Sequence, residues 1–203
     1  MANRVRAGFS TASLCPSKTH GYRMSLVSNF KMLSIYNMRM NVQLLECCKG
    51  LAEEKLKEDT KTFFPSIINY WNHIMFGDLI MMNRLAINEI GNLSVTDLDQ
   101  FPNPVSTKDT YFDNLSALES VRSRIDSLIF EWCSTLTNKD CEQILTYRTT
   151  EGQDISRKAS DVIQHMFNHE THHRGQLTCI LSLNGVDYGC TDLPMIVQEG
   201  SQE

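Results

Sequence analysis

An all-α fold, built as a four-helix bundle, is what this sequence predicts, and three observations carry the prediction. Four long segments repeat their apolar residues at helical spacing, and only one short stretch alternates as a strand would. The chain has 203 residues, 41% of them hydrophobic, which suits one domain around one sizeable core.

Composition narrows the function classes. There are 24 acidic against 19 basic side chains, a formal charge of -5, which offers no broad electrostatic footprint for nucleic acid. The most apolar region, residues 62–82, is broken by Asn69, Asn72, His73 and Asp78, so no membrane span is expected. Seven cysteines without a CxxC spacing do not form a disulfide framework and fit a reducing, cytoplasmic setting, with most of them buried as small hydrophobes.

Residues 1–24 read as an appended segment ahead of a domain spanning 25–203. No Asp or Glu precedes Glu46, while Arg4, Arg6, Lys18 and Arg23 do. The segment is Ser/Thr-rich and weakly periodic, the composition of a transit peptide or, as the lack of a clear amphipathic Arg face favours, of a poorly ordered tail or an over-extended start with Met24 as the natural initiator.

The first helix is expected from Ser28, through Phe30, Leu33, Tyr36, Met40, Leu44 and Leu45, to a stop at Gly50. The second opens at Phe64-Pro65, runs through Ile67, Ile68, Trp71, Met75, Met82 and Leu85, and ends near Gly91. It is apolar almost all round, which predicts contact on several sides. Residues 92–106, with Pro102 and Pro104, read as a loop. The third helix carries the cleanest stripe, Phe112, Leu115, Leu118, Val121, Ile125, Leu128, Ile129, Trp132 and Leu136. Residues 144–155 alternate around Glu151-Gly152, suggesting a short hairpin. The fourth helix starts near Ser160 and reaches Leu183, where Asn184-Gly185 supplies the cap; residues 186–203 are expected to form a loop or covering segment. The methionines of the first two helices and Cys47-Cys48 are read as core filling, without a cofactor or redox role.

The chemistry concentrates in the fourth helix, which holds His165, His169, His172 and His173. Histidines four apart project from one face and can reach one metal ion, a spacing met by His165/His169 and by His169/His173. At about 100° per residue, the stripe of Val162, Ile163, Met166, Leu177, Ile180 and Leu181 centres near 50°, His169 and His173 fall near 340° and 20°, and His165 and His172 near 300° and 280°. The inward pair is therefore His169/His173. His165 and His172 belong at the interface edge or in solvent. Of the other histidines only His73 lies in a helix, on a face shared with Tyr70, Gly77 and Ile80 that can line the bundle interior. The three imidazoles would make a neutral site with an open position, the catalytic rather than the structural arrangement for zinc.

Two rival readings of the same residues are weaker. His169-Glu170-Thr171-His172-His173 matches H-E-x-x-H, but no further histidine follows for a metzincin continuation, and the only late carboxylates lie in a short tail. Glu170-x-x-His173 is one step of a di-iron carboxylate motif, but no second one exists. Glu170 is expected to be an exposed helix glutamate, and Arg174 and Gln176 to brace helix packing.

The segment Asn168-His169-Glu170-Thr171-His172-His173-Arg174-Gly175-Gln176-Leu177, with Asn72-His73 upstream, resembles the DinB (YfiT-like) family. Tyr36-Asn37 and Phe63-Phe64-Pro65-Ser66-Ile67 match its habits, and the likeness covers residues 29–185. The resemblance implies an up-up-down-down four-helix bundle, often a homodimer, with a divalent metal, zinc or nickel, held by His73, His169 and His173. It further implies a small-molecule substrate handled with a low-molecular-weight thiol, as in S-transferases. The alternatives are a metal-dependent hydrolase and a non-catalytic dimeric metal-binding bundle.

Overall fold

The computed structural model describes residues 25–197; the expected appended segment 1–24 lies outside the described residues. Four long helices make the body: α1 (Leu26–Lys49), α3 (Ile67–Ile87), α4 (Leu115–Thr135) and α6 (Ala159–Leu183). Between them come two single-turn helices, α2 (Glu53–Lys57) and α5 (Asn138–Glu142), and an antiparallel hairpin of β1 (Ile144–Arg148) and β2 (Asp154–Lys158). A last turn, α7 (Leu193–Ile196), closes the described chain.

Local chemistry sets the ends. The side chains of Ser25, Ser66 and Asn114 accept hydrogen bonds from the backbone N–H three residues on, capping α1, α3 and α4. The cap at Ser66 places the start of α3 two residues later than the Phe64-Pro65 opening expected from proline alone. α6 stops as expected at Asn184-Gly185: Gly185 takes φ +73° and the Val186 N–H donates to Leu181 O, the bonding of a Schellman cap.

Each long helix packs on two others in the cyclic order α1–α4–α3–α6. The side-chain pairs give their directions. Along α1 and α4, Ser34 meets Cys133, Asn41 meets Asp126 and Lys49 meets Glu119, so the two are antiparallel. Phe30 stacks near Phe167, and Asn37 and Asn41 accept from Arg174, so α1 and α6 run parallel. His73 meets His173 while Gly77 meets His169, making α3 and α6 antiparallel. The sense in chain order is therefore up-down-down-up, which corrects the expected up-up-down-down. The helices whose sense differs are α3 and α6: residues 50–66 and 136–158 reverse the chain, whereas residues 88–114 return the full length of α3, ~30 Å for a helix of its size, before α4 begins.

Helix α3, flanked by α6, α4, α2 and β1, is buried on most of its surface, as its all-round apolarity predicts. One contiguous core runs through all four helices. The segment after α6 lies back across α1: Tyr36 Oη donates to Thr191 O and Gln43 Nε2 to Cys190 O. Cys48 is buried beside Trp71 Nε1, and burial pushes its thiol up to about 11, in keeping with a core role; Cys47 is half-buried. No helix of the described residues is long and apolar enough to cross a membrane.

Candidate metal centre

The antiparallel contact of α3 and α6 brings His73, His169 and His173 together. His73 Nε2 lies 3.1 Å from His173 Nε2 and 3.1 Å from His169 Nε2. Ligand atoms this close suit one shared ion with bonds of about 2.1 Å. His73 and His173 are buried, and His169 is nearly so, its ring lying against Gly77. His165 and His172 are exposed, as the helical arithmetic expects.

Outer partners decide which nitrogen faces the centre. His73 Nδ1 sits 3.3 Å from Thr107 O, which can only accept, so Nδ1 carries the proton and Nε2 presents a lone pair. His173 Nδ1 is 2.7 Å from Gln176 Oε1 and is held in the same tautomer. Burial, with His173 as a second cause, lowers the His73 pKa to about 4. Burial and the two other imidazoles lower His169 to about 3, and burial lowers His173 against the opposing bond from Gln176. With Nδ1 protonated on both, His73 and His173 point Nε2 lone pairs at each other across 3.1 Å, an arrangement that a shared cation relieves. Among the described residues the buried His169 Nδ1 has no hydrogen-bond partner. The donor set therefore fits a divalent ion of imidazole preference, and among the described residues no carboxylate or thiolate joins the group.

Two further residues shape the site. Phe64 stacks on His73 with centroids 3.9 Å apart and turns its edge to His173, walling the centre on one side. Asn72 anchors the loop that supplies Thr107: Oδ1 accepts from the Tyr111 and Phe112 N–H groups, and Nδ2 donates to Phe112 O. Replacing Asn72 by Ala is expected to weaken metal binding about tenfold by loosening Thr107 from His73, read by competition with a chromophoric chelator; unchanged affinity would separate the loop from the site.

On its other side the centre opens to a cavity of about 280 Å³ whose walls include His73, His169, Phe76, Ile80, Arg84 and Tyr147. A larger groove, about 550 Å³ between α1, α2 and the start of α4, is lined by no histidine among the described residues and lies apart from this chemistry.

Behind the histidines is a buried ionic network. Arg122 pairs with Asp78 at 2.5 Å and Asp126 at 2.9 Å and lies 3.6 Å from Glu170, while Arg174 pairs with Glu170 at 2.7 Å. Glu170 is fully buried, which corrects its expected exposure: at about 100° per residue it falls near 80°, inside the apolar stripe of α6. Arg174 braces α6 against α1 as expected, whereas Gln176 serves His173 instead of helix packing. The network escaped sequence reasoning, although Arg122 interrupts the Leu118–Ile125 stripe and Asp78 sits in an otherwise apolar helix. A charge on a buried face was the available signal.

The model of the DinB family matches residues 24–200. Among curated relatives, "Protein DinB" of Bacillus subtilis (strain 168) is 22% identical over 159 residues, covering 77% of this chain and 87% of that protein. No solved structure matches the chain significantly.

Proposed function

The chain belongs to the DinB family, and from that premise we propose that it is a divalent-metal enzyme transferring a low-molecular-weight thiol to a small electrophilic substrate. The observation that carries the reading is the convergence of three uncharged imidazoles with no anionic ligand, beside a cavity of substrate size. An ion held there keeps its full charge and supplies a Lewis-acid centre that lowers the pKa of a bound thiol near neutral pH.

The chain's own groups account for the rest. His73, His169 and His173 hold the ion, zinc or nickel, with Thr107 O and Gln176 fixing two of the rings. Phe64 keeps water from one side, and Phe76 and Ile80 receive the apolar part of the substrate. His165, exposed on the wall of the same cavity, is placed to accept the thiol proton as the sulfur–carbon bond forms and the leaving group departs. The family resemblance adds a homodimer, and the free cysteines suit a cytoplasmic setting.

Elemental mass spectrometry on tag-free protein tests the reading. About one metal per chain is expected for the wild type, and loss of most of it in both His73→Ala and His169→Ala. Metal retained in full by His73→Ala would overturn the bridging site. With metal established, a screen of thiols against electrophiles should reveal transfer; hydrolysis without thiol dependence would replace transfer by metal-dependent hydrolysis.

A further inference from the structure

The inner wall of the cavity is one stripe of α3. His73, Gly77, Ile80 and Arg84 follow at intervals of four, three and four residues, so they lie along one face. Gly77 carries the ring of His169 against its backbone, and Arg84 stands seven residues further along, about 10 Å at the helical rise. Arg84 and the histidines share one cavity.

Arg84 is unlike the buried arginines of the network. Arg122 and Arg174 are each matched by carboxylates, whereas among the described residues no carboxylate lies within ion-pair distance of Arg84. Its guanidinium stacks over the Tyr147 ring at 4.3 Å, its Nη2 lies 3.4 Å from Arg148 O, and its Nη1 has only Met81 Sδ at 3.5 Å. Stacking on an aromatic face fixes the plane of a guanidinium and leaves its in-plane donors for a bidentate partner. Burial lowers the Arg84 pKa, against the favourable influence of Tyr147 and Glu151; Glu151 lines the same cavity but is exposed and beyond pairing distance. A half-buried cation with no carboxylate at pairing distance among the described residues is incompletely compensated, and a ligand anion would complete the pairing.

We propose that Arg84 recognises an anionic headgroup, a carboxylate or similar oxyanion, on the substrate or the thiol whose other end reacts at the histidine centre. This deepens the preceding reading and rests on it for the identity of the reacting end. The cavity then works as a ruler: one end takes the sulfur, the walls of Phe76 and Ile80 take an apolar spacer, and Arg84 takes the charge.

The test uses ω-mercaptoalkanoates of increasing length and their uncharged amides, bound to the cobalt-loaded full-length protein and followed by the thiolate-to-cobalt absorption band. The acids should bind at least about tenfold tighter than the amides, with a preference that peaks at one chain length and falls for shorter and longer chains. Arg84→Met should bring the acids down to the amides without weakening the amides, and Arg84→Lys should restore part of the preference. Equal affinity of acid and amide, or a preference that survives Arg84→Met, would overturn the assignment. A second arm needs no metal: in ¹⁵N-labelled metal-free protein, hexanoate should shift the Arg84 Nε–H signal and hexanamide should not. No uptake of cobalt with an intact hexanoate response would defeat the metal reading and leave the anion site standing. No response to hexanoate defeats the anion site whatever the cobalt does.

Discussion

Gly77→Ala is expected to lower metal affinity by about 100-fold or more while leaving the helical fold in place. A Cβ at position 77 would stand 2.5 Å from His169 Nδ1 and 3.0 Å from its Nε2, closer than a methyl group and an aromatic ring can approach. Helix α3 is packed on several sides, so the ring of His169 must give way, and helical backbone leaves it few other rotamers. Turned away, it no longer faces His73 Nε2. Global stability has less reason to change, because alanine in a helix interior gains about 1 kcal/mol over glycine in intrinsic propensity. Gly175→Ala in α6 is the control: nothing lies within 4 Å of a Cβ there, so it should gain stability and keep the metal. The comparison is made by chelator competition and thermal melting. Wild-type affinity in Gly77→Ala would show that His169 is not seated against α3.

The contrast between the two glycines also shows what the sequence could and could not convey. Helical periodicity located the four long helices and, through the angle between His169/His173 and the apolar stripe, the inward pair. Gly77 was visible as a neighbour of His73 on one face, but its reason, the ring of a residue far along the chain, is a contact between helices. Thr107 acts through its carbonyl, which no side-chain pattern announces. The sense of α4 relative to α3 depended on whether residues 88–114 turn back at once or return the length of α3, and periodicity is silent on that choice. The short helices α2 and α5 hold too few residues for a stripe to form. Glu170 was legible and misread: its angle lies within the stripe, and the general rarity of buried glutamate outweighed the geometry until Arg122 and Arg174 appeared beside it.

Removing Arg122 should be the most damaging single change outside the apolar core, lowering stability by about 3–5 kcal/mol, or Tm by on the order of 10 °C. Burial and the neighbouring Glu170 raise the Asp78 pKa well above its ordinary value, which makes Asp78 the expected holder of a proton in the network. Burial would also raise Glu170, but the bond from Asp78 and the charges of Arg174 and Arg122 outweigh it and hold Glu170 ionised. Asp126, raised by burial to about 6 against the pull of Arg122, remains ionised at neutral pH. Two guanidiniums therefore face two carboxylates and one neutral carboxyl, and the network closes without net charge. Arg122→Met strands Asp126 and weakens the hold on Glu170 in a site without water access. Asp78→Asn, by contrast, replaces an O–H donor with an N–H donor toward Glu170 and should cost no more than about 1 kcal/mol. Equilibrium denaturation of both variants decides the matter; equal losses would mean that Asp78 is ionised and the proton is elsewhere. Because the network joins α3, α4 and α6 behind the histidines without touching the Nε2 cluster, folded Arg122→Met should still take up metal at low temperature. Retained uptake alongside reduced stability would assign helix assembly to the charges and the ion to the imidazoles.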